Sequence, residues 1–176
     1  MTPQLEQLIK HYESLHDGDL REIGLQPKMD PLGIWTEGWG AVIYDANNRM
    51  IKGYANKAVA YKFAKIKTEA DAQIDLLTKV SRIRANVLTI INPNIGLKQH
   101  QIDAIIDFAY NCGVGSCKSS SAVRLINTGD LNGVENLIKW NKGYGKTGEL
   151  IELPGLTARR KSEIHLFKTG EVKFFN

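Results

Sequence analysis

With 176 residues, 43% of them hydrophobic, the chain is long enough to bury a core of its own without metal or disulfide staples. Its formal charge of +4 favours anionic partners, yet is too small to choose among nucleic acid, a membrane surface and an acidic wall polymer. No apolar run approaches the roughly 18 residues that span a bilayer, and the N-terminus lacks a basic-then-apolar signal pattern, so cytoplasmic synthesis without stable membrane insertion is expected.

Residues 2–12 read as a short helix, with Thr2 as cap, Pro3 in the first helical position and Leu5, Leu8, Ile9 and Tyr12 on one face. Glu13 stands where that helix runs out. Residues 14–31 are irregular, with turn signals at Asp17-Gly18-Asp19 and Gln26-Pro27. From Gly33 to Lys52 the segments Ile34-Trp35-Thr36, Ala41-Val42-Ile43-Tyr44 and Arg49-Met50-Ile51-Lys52, with a turn at Asp45-Ala46-Asn47-Asn48, predict a small antiparallel hairpin or meander. Gly38 and Gly40 imply a bend or a close backbone approach.

The remainder reads as helical. Thr68 and Asp71 form a capping box opening a long helix, with Ile74, Leu77, Ile83, Val87 and Leu88 as its apolar stripe and Pro93 as its stop. A helix over 97–111 turns Ile102, Ile105, Ile106 and Ala109 inward and ends at Gly113. Helices over 119–128 and 131–140 are capped by Ser119 and Asp130. Residues 143–155 carry four glycines and a proline and predict a loop. A last helix, 156–168, stops at Gly170. The order is α+β: one domain over 1–176, with a small β-containing lobe (13–60) and a helical lobe (61–176 plus the N-terminal helix) leaving a cleft between them.

Cys112 and Cys117 lack the close Cys and His neighbours of a metal site, and a cytosolic disulfide is disfavoured, so they are read as free, partly buried thiols. The four histidines show no ligand spacing; no metal and no cofactor are implied.

Glycosidic bond cleavage commonly uses two carboxyl groups, one protonated and one ionised. Glu13 suits the acid, because the negative end of the helix and the neighbours Tyr12 and Leu15 disfavour its charged form; a solvated helix-end glutamate is the plain alternative. Asp30, in Met29-Asp30-Pro31-Leu32-Gly33, suits an ionised partner in a wetter turn, or a turn-forming aspartate before proline. Thr36 offers a hydroxyl to orient a water held by Asp30, or is an ordinary strand threonine. Glu37 points to the opposite face of the strand.

The ordered pattern Glu13…Asp30-Pro-Leu-Gly33-Ile-Trp-Thr36-Glu-Gly38-Trp-Gly40 resembles the catalytic stretch of the phage-type lysozymes, glycoside hydrolase family twenty-four. The resemblance continues through Leu97–Gly115, Ser119–Asp130, Trp140-Asn141-Lys142 and Pro154–Arg160. It implies a lysozyme-like α+β fold. It also implies an endolysin that hydrolyses the β-1,4 bond between N-acetylmuramic acid and N-acetylglucosamine in peptidoglycan strands, for host-cell lysis. Glu13 matches the general acid, Asp30 the carboxylate that positions water and Thr36 the assisting hydroxyl. Arg159 matches an arginine near the glutamate, and Asn111 a cleft-lining amide. Gly40 belongs to the same stretch; Trp39 is a candidate for a sugar subsite, whereas Trp140 is read as core. The implied reaction is a single displacement with inversion, which needs carboxyls about 6.5–9.5 Å apart.

Two departures stand out. Residues 16–29 form an insertion that doubles the usual separation of the two carboxylates, and Ala41 replaces a histidine often found there. The segment 146–152 is also lengthened. The expected protein is a monomer made in the host cytoplasm and released to the wall through a separate holin-type pore protein. Other readings are a lytic transglycosylase, a non-catalytic peptidoglycan-binding protein and a nucleic-acid binder. Dispersed Lys and Arg residues and no recognised DNA or RNA motif argue against the last.

Overall fold

A computed structural model describes residues 1–30, 32–144 and 148–176. The chain divides into two compact units, Glu13–Lys79 and the set Met1–Tyr12 with Val80–Asn176. Helix α1 runs Pro3–Glu13 with Leu5, Leu8 and Ile9 buried, and Thr2 Oγ1 accepts from the Leu5 N–H at 3.2 Å as its cap.

In the first unit a three-stranded antiparallel sheet has the order β1 (Lys28–Met29), β2 (Trp35–Glu37), β3 (Ala41–Val42). Thr36 sits opposite both Lys28 and Val42, and Glu37 opposite Ala41. Trp35 packs with Ile43, Ile51, Ala60 and Ala64, and Met29, Tyr61 and Phe63 flank this cluster. Strand β1 lies in the stretch read as irregular; two residues are too few to show an alternating pattern. The expected third strand at Arg49–Lys52 reduces to single bridges, Tyr44 with Met50 and Ile34 with Lys52. Asp45 accepts from the N–H groups of Asn47 and Arg49 at 2.9 Å each, which tightens the turn between them. Gly38 has φ +54°, and a Cβ there would stand 2.7 Å from Ile66 Cδ1. The sequence therefore needs glycine at this bend on two counts.

Helix α2 spans Lys57–Phe63 and α3 spans Glu69–Ile90. The capping box opens α3: Asp71 N–H donates to Thr68 Oγ1 at 3.1 Å, and Thr68 N–H to Asp71 Oδ2 at 3.0 Å. Its buried stripe is Ala72, Leu76, Val80, Ile83 and Val87. Three of the residues expected there are exposed instead: Ile74 (64%), Leu88 (45%) and Leu77 (39%). At about 100° per residue the five buried positions share an arc of about 80°, and Ile74, Leu77 and Leu88 fall outside it. Large apolar side chains drew the expectation away from a stripe that runs through a small alanine.

In the second unit α4 (Gln99–Cys112) is buried continuously from Asp103 to Tyr110. Gly113, at φ +86°, ends it and opens α5 (Val114–Ser119). The helix expected over 119–128 is α6 (Ser121–Ile126), shorter at both ends, and its cap is Ser120, whose Oγ accepts from Val123 N–H at 3.2 Å, rather than Ser119, which ends α5. Asp130 does cap the next segment, a 3₁₀ helix over Leu131–Lys139, by accepting from Asn132 N–H. Trp140 is half-buried and meets Phe108 edge to face at 5.6 Å.

The loop expected over 143–155 contains a hairpin, β4 (Lys142–Tyr144) with β5 (Leu150–Glu152), in which Gly143 pairs with Ile151. All three β5 residues are exposed, so the sequence carries no alternation there. Of the lengthened segment 146–152, Lys146 and Thr147 lie outside the described residues. Helix α7 runs Pro154–Thr169 and stops at Gly170, φ +79°.

This unit has a charged core. Arg159 donates through Nε and Nη2 to the two carboxylate oxygens of Asp107, at 2.9 and 2.8 Å. Arg160 donates to Glu163 Oε1 at 2.6 Å, to Asn111 Oδ1 at 3.0 Å and to Cys112 Sγ at 2.9 Å. Arg160, Glu163 and Asp107 are fully buried, and Arg159 is 3% exposed, so neither arginine lies on a solvated helix face. Burial favours the protonated form of Asp107, but Arg159 overrides it and holds that carboxyl below its usual range. Burial, helped by the Asp107 charge, pushes Glu163 well above its own range. The free thiols follow the same rule: Cys112 is half-buried, and burial raises that of Cys117 to about 12.

Candidate active site

Within the Glu13–Lys79 unit, Glu13 and the sheet border an open cavity of about 540 Å³. Its lining includes Glu13, His16, Lys28, Asp30, Thr36 and Gly40. Glu13 is the last residue of α1 and half-exposed. Behind it Ser14 takes φ +57°, a left-handed conformation uncommon outside glycine. That turn sends the chain to the sheet, where His16 N–H donates to Gly38 O at 2.8 Å.

Gly40 approaches Glu13 closely. Its φ is +78°, and a Cβ there would lie 2.8 Å from Glu13 Oε2. A side chain at position 40 would displace the carboxyl.

Asp30 is half-exposed. Its Oδ1 accepts from the N–H groups of Leu32 and Ile34, both at 2.8 Å, and its main chain bonds Ile34 and Gly33. One carboxylate oxygen thus ties the turn, as the turn reading expects, and the residue also lines the cavity.

Thr36 lies on β2 and is 4% exposed. Its Oγ1 stands 2.9 Å from Lys28 O and 2.6 Å from His16 Nδ1. Burial and the Lys28 ammonium lower the His16 pKa, against Glu13 and Asp30, which raise it. His16 was not singled out by the sequence reading: it is one of four scattered histidines, and its partner is 20 residues away.

Glu37 faces away from this chemistry. It is 8% exposed, and Oε2 accepts from the N–H groups of Lys65 and Ile66 at 2.7 and 2.8 Å. Burial raises its pKa despite those two bonds. Trp39 is also buried (8%) and is not among the residues that line the cavity. Asn111 and Arg159 belong to the other unit, where Asn111 receives Arg160 and Arg159 holds Asp107 and stacks over the Tyr12 ring at 5.7 Å. Among the described residues no group of three or more His, Cys, Asp or Glu side chains is arranged to hold a metal ion.

Solved structures with this arrangement of helices and sheet define the class. The endolysin of Escherichia coli O157:H7 phage FAHEc1 superposes with a TM-score of 0.74 at 24% identity, covering 98% of this chain and 95% of that one. A P22 lysozyme mutant superposes at 0.67 and 19% identity, covering 96% and 98%. The fold is the α+β lysozyme fold. The phage lysozyme family model matches residues 21–163, and the chain belongs to that family. The matched stretch contains Asp30, Thr36, Gly40, Asn111 and Arg159, while Glu13 precedes it.

Among sequence relatives, the endolysin of Bacillus phage B103 is 41% identical over 80 residues, 45% of this chain and 28% of that protein. An endolysin of Acyrthosiphon pisum secondary endosymbiont phage 1 is 28% identical over 164 residues, covering 93% of this chain and 94% of that one. This chain thus spans under a third of the first relative and nearly all of the second.

Proposed function

We propose that this protein is a muramidase that hydrolyses the β-1,4 bond between N-acetylmuramic acid and N-acetylglucosamine in peptidoglycan strands, for host-cell lysis. The observation that carries this reading is the convergence of Glu13, Asp30, Thr36 and Gly40 on one cavity. Glu13, at the negative end of α1, serves as general acid to the leaving oxygen. Asp30 has one oxygen tied to the turn; its other oxygen accepts a proton of the attacking water. Thr36 shares that water. Gly40 leaves room for the Glu13 carboxyl.

Arg159 and Asn111 keep their proposed link to substrate only through their own unit: Arg159 by ordering α7 against α4, Asn111 by its contact with Arg160. Trp39 is buried in the same unit as the cavity, and its proposed role is to support the sheet rather than to meet a sugar.

The protein acts as a monomer on the wall after synthesis in the host cytoplasm. Release through a separate holin-type pore is part of this proposal. Among the described residues no helix is long and apolar enough to cross a membrane. Two relatives at 26% and 25% identity are SAR-endolysins of Enterobacteria phages PA-2 and P21, so a signal-anchor route is the competing one. Lysis of expressing cells with and without a co-expressed pore protein separates the two routes.

The test of the chemistry is murein digestion by wild type, Glu13→Gln and Asp30→Asn, with products read by mass spectrometry. Reducing sugar ends that disappear in both variants support hydrolysis by this pair. Anhydro sugar ends would make the protein a lytic transglycosylase, and intact murein bound by wild type would make it a wall-binding protein.

A further inference from the structure

The Thr36 hydroxyl has one proton and two acceptors within reach, Lys28 O at 2.9 Å and His16 Nδ1 at 2.6 Å. Both contacts are satisfied together only when the imidazole Nδ1 carries a proton and donates it to Oγ1, while the hydroxyl donates to Lys28 O. In that state one lone pair of Oγ1 receives His16, and the second is left for the cavity.

That lone pair matters for the hydrolysis proposed above, on which this inference rests. A water attacking the anomeric carbon must turn a lone pair toward it, so its two protons need acceptors behind. Asp30 supplies one, through the oxygen not engaged by Leu32 and Ile34. Thr36 supplies the other only if its own proton points elsewhere. A free hydroxyl rotor would instead present its proton to the water about as readily as a lone pair.

We infer that His16 is a positioning residue for this reaction: it pins Oγ1 of Thr36 between itself and Lys28 O, and so keeps Thr36 an acceptor toward the water-binding side of the cavity. Its own placement is secured by the main-chain bond from His16 to Gly38 and by the turn at Ser14. The charged groups facing the ring are Glu13 at the end of α1, Lys28 on β1 and Asp30 in the following turn; the Glu13 main chain also bonds the ring, and β2 meets it through the Thr36 hydroxyl. The beginning of the insertion at 16–29 thereby acquires a role in the site.

The test is a double-mutant cycle on murein with His16→Ala and Thr36→Val, kcat and KM read separately. His16→Ala is expected to lower kcat about tenfold with KM nearly unchanged, and the double variant to be no slower than Thr36→Val alone. His16→Asn, whose amide N–H stands where Nδ1 stands, should keep most of the activity, and His16→Gln, whose amide reaches further, should not. If His16→Ala does not fold, the Asn and Gln variants carry the test. Losses that multiply in the double variant, or equal activity in Asn and Gln variants, overturn the inference. Failure of wild type to release reducing ends would overturn the muramidase reading instead.

Discussion

The two units treat charge in opposite ways. In the helical unit Asp107, Arg159, Arg160 and Glu163 are buried and occupied with one another. In the Glu13–Lys79 unit Glu13, His16 and Asp30, which line the cavity, are half-exposed; main-chain N–H groups hold Asp30 and a hydroxyl holds His16. Buried charges engaged with one another are held away from solvent and from any ligand. Groups held by the main chain keep an oxygen or a face open to solvent. The contrast separates charge that builds the protein from charge that is available to do chemistry, and it can be broken at several points.

The largest expected effect is on turnover. Glu13→Gln should lower murein hydrolysis about 10²–10⁴-fold, while thermal unfolding followed by circular dichroism stays close to wild type. A stability loss matching the activity loss would place Glu13 with the structural charges. Next, Asp107→Ala leaves Arg159 buried without its bidentate partner and should lower unfolding free energy by about 3–5 kcal/mol in urea titrations. Little change there would mean that the helical unit tolerates the loss of this pair and that the contrast is overstated.

Gly40→Ala sharpens the comparison at one atom. The left-handed backbone costs about 1–2 kcal/mol with a Cβ, and the displaced Glu13 carboxyl should cost up to about 10²-fold in kcat. The activity loss should exceed what the stability loss explains.

Glu37 is the exception in its unit, a buried carboxyl that does not line the cavity, and pH reveals it. Burial raises its folded pKa above the unfolded value of 4.5, so the folded state holds this proton more tightly. The resulting stability is fully present below about pH 4.5 and is lost as pH rises through the folded value. Melting curves across that window should show wild type losing stability relative to Glu37→Gln as pH rises; parallel curves would sink this account. Smallest of all, Ile74→Ser and Leu88→Ser, on the exposed side of α3, should shift stability by no more than about 0.5 kcal/mol. Larger losses in chemical denaturation would restore the stripe first expected from sequence.

What could be read from the sequence was what neighbouring residues decide among themselves. Thr2 caps α1, Thr68 and Asp71 open α3, Asp130 starts the 3₁₀ segment, and Gly170 stops α7 through bonds or dihedrals spanning at most a few residues. The order Glu13, Asp30, Thr36, Gly40 was also legible, because it lies in a short stretch with a family pattern. Partners brought together by chain return were not. His16 meets Thr36 across 20 positions, Glu37 meets Lys65 across 28, and Arg159 meets Asp107 across 52. The same limit hid strand β1, the β4–β5 hairpin and the burial of Trp39 and Arg160. Local order carries the geometry of turns and caps, since their hydrogen bonds close within one turn of chain. Only the folded chain determines which distant donor reaches which acceptor, and here that choice separates a carboxylate facing the cavity from one locked in the core.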